Sequence, residues 1–186
     1  MSQTLEEIRQ YWNSRAEGYT LSSREELEDT SHLAVWKERI QKALEGHPCH
    51  SVLDVGCGPG FFSILLAKMG YEVTAIDYTE NMLGEARKNA ADFGVNVTFL
   101  RMDAQNLEFD DDTFDVVISR NLTWNLEKPG RAYEEWHRVL APGGILLNFD
   151  ANWYGYLYDE EKYAAYERDR ENVKEQALED HYLCTD

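Results

Sequence analysis

Residues 52–60, VLDVGCGPG, constrain the fold most: a short apolar run ends in a cluster of glycines and passes straight into a helical pattern. Glycine populates left-handed backbone conformations and lets a ligand come close to the main chain. The free amides at the start of the next helix favour polar or anionic groups. A strand, a tight glycine turn and a helix begin a βα unit, and the alternation then repeats. Strands are expected at 51–55, 72–76, 95–100, 114–119 and 144–149. Helices are expected at 61–69, at 79–94 (Thr79 as N-cap; Met82, Leu83, Ala86 and Ala90 as its stripe) and at 129–140, the last with Tyr133, Trp136, Val139 and Leu140 inward. Strands alternating with helices imply parallel pairing through right-handed crossovers. Continuously apolar runs such as VVIS and ILLNF suit a sheet covered on both faces. The expectation is an α/β, Rossmann-like, doubly wound and mostly parallel sheet, whose ligands bind outside the carboxyl ends of the strands where the strand order reverses.

The ends of the chain differ in texture. Leu5, Ile8, Tyr11 and Trp12 share one helix face, and Leu33, Trp36, Ile40 and Leu44 make a second stripe; the polar stretch 14–30 breaks the pattern between them. Beyond Asp150, Tyr163, Tyr166, Val173 and Ala177 fall at helical spacing in an otherwise acidic segment. Lys and Arg total 18 against 35 Asp and Glu, a formal charge of −17. Such a surface repels phosphate backbones and anionic membranes, which argues against nucleic acid and membrane partners. No run approaches the ~20 apolar residues of a spanning helix. The N-terminal MSQTLEEIRQYW has neither the basic start nor the apolar stretch of a signal peptide. Three cysteines (Cys49, Cys57, Cys184), odd in number and without a CxxC, place the chain by default in a reducing, cytoplasmic setting.

The glycine turn itself separates ligand classes. A dinucleotide fingerprint reads G-x-G-x-x-G. Gly56 and Gly58 fit it, but Phe61 stands at the third glycine position and Gly60 comes one residue early. Asp54, two residues before Gly56, would face the negative charge of a pyrophosphate. Both points favour a ligand without phosphates.

D-x-G-x-G-x-G after a first strand resembles the S-adenosylmethionine (SAM) site of the class I methyltransferases, and the resemblance extends from about residue 11 to 150. It implies the strand order 3-2-1-4-5. It also implies that Asp54, Gly56, Cys57, Gly58 and Gly60 form the cofactor turn. Asp77, at the end of strand two, would take both ribose hydroxyls, since a carboxylate can accept two parallel hydrogen bonds from a vicinal diol. Asp103 in RMDAQNL would bind the adenine amino group, with Ala104 supplying a backbone amide, and Tyr78 and Met82 would flank the ring. LEFDDDTFDVVIS (107–119) and LAPGG (140–144) resemble the family's approaches to strands four and five. YWNSRAEGY (11–19) resembles the segment that closes over the cofactor, so Tyr11, Arg15 and Tyr19 are candidate contacts; core packing for the tyrosines and a surface salt bridge for Arg15 are the plainer readings. SAM, leaving as S-adenosylhomocysteine (SAH), is the implied cofactor.

Methyl transfer from a sulfonium depends mainly on alignment and exclusion of water, which explains why the motifs bind cofactor and none is visibly catalytic. Acceptor-side residues should come from the loops after strands four and five. Arg120 and Asn121 would meet the cofactor's methionine end or the acceptor, and Trp124 and Trp153 would wall a flat or cationic acceptor or simply pack. Asp150 and His137 are candidate bases. Asn121 does not stand in an N/D-P-P-Y sequence, which also disfavours DNA. His47-Pro48-Cys49-His50 looks like metal ligands but lacks a second pair, and Asp110 to Asp112 lacks the glycine and spaced oxygens of a calcium loop.

The family usually adds two antiparallel strands beside strand five, and the residues after Asp150 do not supply them. That edge would be uncovered. A truncated piece of a longer enzyme is the favoured expectation; a homodimer through the strand-five edge is the other. The expected organisation is one domain, with a helical cap at 1–46, a SAM-binding core at 51–150 and an acidic, mostly helical segment at 151–186. Two other functions remain: a nicotinamide-dependent oxidoreductase on a related fold, and a non-catalytic SAM-binding or regulatory module.

Overall fold

In the computed structural model, residues 3–152 and 155–175 are described, with side chains to residue 168. The elements run α1 (Gln3–Glu28), α2 (Thr30–Ala43), β1 (Ser51–Val55), α3 (Phe61–Lys68), β2 (Glu72–Asp77), α4 (Glu80–Asp92), β3 (Thr98–Arg101), β4 (Phe114–Arg120), α5 (Pro129–Val139), β5 (Leu140–Phe149) and α6 (Glu160–Glu175), with 3-10 turns at Thr123–Asn125 and Gly155–Tyr158. The five strands form one parallel sheet in the order β3-β2-β1-β4-β5. This is the expected doubly wound order, with its switch point between β1 and β4.

Period-two alternation divides the strands between two cores. Val52 of β1 and Val116 and Ile118 of β4 face Trp36, Ile40, Phe62, Ile64 and Leu66. Leu53, Val55, Ile76 and Val117 face Ala132, Trp136 and Val139 of α5. Trp36 meets Phe62 and Phe149 edge-on at 5.0 and 5.1 Å, an arrangement aromatic rings favour. Trp136 is fully buried, and its indole N–H donates to the Ala104 carbonyl at 2.9 Å.

The register brings the chemistry to one edge. Val55 pairs with Ile76 on one side and with Ser119 on the other, and Asp77 pairs with Arg101. The residues just past β1, β2, β3 and β4 therefore meet along the carboxyl edge of the sheet.

Two expectations need correction, and a third, the N-cap of α4, holds with a different bonding pattern. The polar stretch 14–30 does not interrupt the first helix; α1 continues through it as a 26-residue helix. Its buried face is made of Ala16, Thr20, Ser23 and Leu27, mostly small side chains that let α1 pack closely on α4, α2 and α3 without an apolar stripe. Tyr133 points outward, 38% exposed, and Ala132 and Glu135 take the inward positions with Trp136 and Val139. The Glu135 carboxylate is satisfied there by Arg138 and by the Leu107 amide at 2.9 Å. Thr79 is the N-cap of α4, but its side chain makes no cap bond; the Asp77 carboxylate takes the Thr79 amide instead. Ala177 and Cys184 lie outside the described residues.

Candidate functional site

The turn after β1 is built on left-handed backbone, with φ of +68° at Gly56 and +53° at Gly58. A side chain at Gly56 would place its Cβ 2.7 Å from Leu122 Cδ2, so this glycine is needed for space as well as conformation. The Cys57 amide donates to the Ile76 carbonyl at 2.9 Å and fastens the turn to β2. Cys57 itself is buried, and burial pushes its thiol well above the usual range.

Asp77 closes the turn from the β2 side. One carboxylate oxygen accepts the Gly58 amide at 3.0 Å and the other the Thr79 amide at 2.8 Å. Burial raises its pKa, against the lowering effect of those amides. A carboxylate has about four acceptor positions, so two further hydrogen bonds can be taken from a ligand. Asp54 lies deeper, 2% exposed, and accepts from the Ser63 hydroxyl at 2.5 Å. Burial pushes it up to about 7.

Asp77 stands in the wall of a narrow cavity of about 100 Å³ with Gly56, Gly58 and Tyr78. Met82 and Met102 supply its apolar side, and Asp103, Ala104 and Gln105 its far end. Asp103 Oδ1 accepts both the Gln105 amide at 2.9 Å and the Gln105 side-chain nitrogen at 3.2 Å. Gln105 Oε1 in turn accepts the Lys128 amide at 2.6 Å, which ties the end of this slot to the segment after β4. Leu5, Ile8, Arg9 and Trp12 of α1 cover the slot.

A wider cavity of about 640 Å³ adjoins it, sharing Trp12, Tyr19, Gly56, Gly58, Arg120 and Asn121. Tyr11 and Arg15 line only this chamber, with the Arg15 guanidinium 5.2 Å from the Tyr11 ring centre. Asp54 and Cys57 lie at its base. The Tyr19 ring passes over Gly58, 3.7 Å from where a Cβ would sit. Arg120 holds Glu26 of α1 in a two-point ion pair at 2.6 and 3.2 Å, and its guanidinium lies 4.7 Å from the Phe61 ring centre. Asn121, with φ of +56°, donates its amide to the Phe149 carbonyl, and its own carbonyl accepts the Trp124 indole N–H at 2.9 Å.

The structure thus brings together Tyr11, Arg15, Tyr19, Asp54, Gly56, Cys57, Gly58, Asp77, Tyr78, Met82, Asp103, Ala104, Arg120, Asn121 and Trp124 around one cleft. Gly60 lines neither cavity: it caps α3 at φ +94° and packs on Ala86. Asp150 is also outside both, because its carboxylate accepts from the Thr123 amide and hydroxyl and fixes the turn after β4. His137 is exposed on α5. Trp153 lies outside the described residues. Among the described residues no group of three or more His, Cys, Asp or Glu could hold a metal ion. Trp12, Glu26, Gln105, Tyr156 and Tyr166 line the cleft without having been expected from the sequence as site residues.

Residues 53–148, just over half of the chain, match the family described as Methyltransferase domain. The chain belongs to the class I SAM-dependent methyltransferases. Members of this family use SAM as methyl donor. The demethylmenaquinone methyltransferase of Staphylococcus aureus is 36% identical over 116 residues, which cover 61% of this chain and 48% of that protein. The chain therefore spans about half the length of the curated relatives it matches. Among solved structures, the PH0226 protein of Pyrococcus horikoshii OT3 is similar with a TM-score of 0.64 and 31% identity over 71% of this chain and 62% of that one. A SAM-dependent methyltransferase of Aquifex aeolicus gives 0.58 and 30% over 69% and 71%. The cleft suits the family's cofactor: Asp77, held by the Gly58 and Thr79 amides, offers acceptors for a diol.

Proposed function

We propose that this chain binds SAM along the carboxyl edge of the sheet and transfers its methyl group to a small-molecule acceptor held in the adjoining chamber. The observation that carries this reading is Asp77, anchored by the Gly58 and Thr79 amides in the wall of the narrow slot. The ribose would be held by Asp77 and the adenine by Tyr78, Met82, Asp103 and the Ala104 backbone. The methionine end would lie over Gly56, Cys57 and Gly58, near Asp54, Arg120 and Asn121, with Tyr11, Arg15 and Tyr19 from the roof. Bound SAM supplies an electrophilic methyl on a positively charged sulfur. The protein contributes position: α1 lies across the cleft, and the Glu26–Arg120 pair ties that roof to the end of β4, so that the sites for donor and acceptor adjoin beneath one roof.

Residues 1–46 act in this scheme as the cap, 51–150 as the SAM-binding core and 151–186 as an appended segment, from which Tyr156 and Tyr166 line the chamber. The name of the Staphylococcus aureus relative, demethylmenaquinone methyltransferase, supports a small-molecule acceptor. No described helix is long and apolar enough to cross a membrane, in keeping with cytoplasmic action. Calorimetric titration of the full chain with SAM, SAH and NADH tests the proposal. Saturable binding of SAM and SAH is expected. Saturable NADH binding without SAM binding would transfer the fold to nicotinamide chemistry and sink it.

A further inference from the structure

The chamber beside the slot is walled by aromatic rings from four separate parts of the chain. Tyr11, Trp12 and Tyr19 come from α1, Phe61 and Phe62 from α3, Trp124 from the turn after β4, and Tyr156 and Tyr166 from the C-terminal turn and α6. The rings of α1 meet edge to face at 5.2 and 5.6 Å, and Trp12 continues the contact to Trp124 at 6.3 Å. Tyr156 and Tyr166 are stacked at the mouth, 4.2 Å apart with 15° between their planes. Elements far apart in sequence have converged on one kind of wall, and 640 Å³ is within the range of ordinary small-molecule sites, roughly 300–1,000 Å³.

Aromatic walls can hold either a cation or a flat neutral ring, and the charges decide between them. The Arg15 guanidinium already lies over Tyr11, and that of Arg120 over Phe61, another chamber residue. Those two rings are thus already served by the protein's own cations. The carboxyls among the described lining residues are Glu26, held by Arg120 at two points, and Asp54, which burial pushes up to about 7. A quaternary ammonium would meet two guanidiniums and no carboxylate free of a partner.

We propose that the acceptor chamber takes an uncharged, planar aromatic compound, with Trp124 and the Tyr156–Tyr166 pair as the residues that select for flatness. This deepens the methyltransferase reading and rests on it. The test uses the full chain saturated with SAH and titrated calorimetrically with 2-naphthol. Its saturated counterpart 2-decalol, equal in framework but not flat, and choline serve as comparators. 2-Naphthol should bind at least tenfold more tightly than 2-decalol, with no saturable choline binding. Tyr156→Ala, and separately Trp124→Phe, should weaken 2-naphthol about tenfold and threefold, and SAH binding by each variant verifies that it has folded. If Tyr156→Ala loses SAH binding, Tyr166→Leu removes the same stack and is read in its place. SAH binding without 2-naphthol binding, equal affinity for 2-decalol, or variants that bind 2-naphthol like the parent would each overturn the proposal while leaving the methyltransferase reading intact. Failure of the parent chain to bind SAH would remove that reading and this proposal with it.

Discussion

Replacing Asp77 with alanine is the sharpest perturbation the site offers. In the structure its two carboxylate oxygens each accept one backbone amide, from Gly58 and from Thr79, and each retains an acceptor position. A ribose diol would use those two positions. A hydrogen bond to a charged group is worth about 1.5–3 kcal/mol, and the half-buried setting argues for the lower end. Two such bonds give about 3 kcal/mol, or roughly a hundredfold in affinity. Folding should suffer less. The Thr79 amide loses its acceptor, at about 1–3 kcal/mol if left dry. The same substitution relieves a carboxylate whose raised pKa shows that burial disfavours its charged form, which offsets part of that loss. Asp77→Asn separates the two effects: it keeps one carbonyl acceptor and should lose about tenfold in affinity with stability near the parent's. Titration with SAH reads the affinity, and urea unfolding reads the stability. An Asp77→Ala protein that unfolds at the parent's urea midpoint and binds SAH within threefold of the parent would refute the assigned role.

Three other expectations follow from single contacts. Asp54 titrates near 7 when folded against 3.8 for the free carboxyl, so between those values the folded chain holds a proton the unfolded chain has lost. Stability should therefore fall as pH rises from about 4 to 7, by up to about 1.4 kcal/mol per pH unit from this group, and Asp54→Asn should remove that component; parallel profiles for the two proteins in urea would contradict it. Trp136→Phe deletes the indole bond to the Ala104 carbonyl and should cost about 2–3 kcal/mol in urea unfolding, with under 1 kcal/mol showing that the bond contributes little. Glu26→Ala leaves the Arg120 guanidinium among aromatic rings without its counter-ion and should cost about 1–3 kcal/mol, a penalty expected to shrink in the Glu26→Ala/Arg120→Met pair; simple additivity in the double-mutant cycle would mean the ion pair carries no coupling.

Most of the sheet was legible because its information is local. The glycine turn, the apolar runs and the helix stripes between them each lie within about ten residues, and β1 begins and ends where its apolar run does. The failures share one physical cause, a buried face made of residues that composition reads as polar or small. α1 packs through Ala16, Thr20 and Ser23, so the continuous helix left no apolar stripe in the sequence. Glu135 faces inward on α5 where Tyr133 was expected, since a carboxylate matched by Arg138, Arg131 and the Leu107 amide can be buried. Such a match joins side chains across the fold and gives no sign in a window of sequence.

The two halves of the cleft divide along the same line. The half proposed for the cofactor lies at strand ends, where Asp54, Gly56, Gly58, Asp77 and Asp103 each stand within a few residues of a readable strand. The half proposed for the acceptor is assembled from α1, the turn after β4 and the C-terminal turn, and its cohesion comes from contacts over long sequence separations, such as Glu26 to Arg120 across 94 positions. Asp150 shows the hazard of reading that half from position alone: it follows β5 as a candidate base should, yet its carboxylate is occupied in bracing Thr123. A parallel sheet fixes where strands end and therefore where its cofactor sits, but nothing in the sheet fixes what closes over it. The acceptor is chosen by the covering elements, and in this chain those elements present rings.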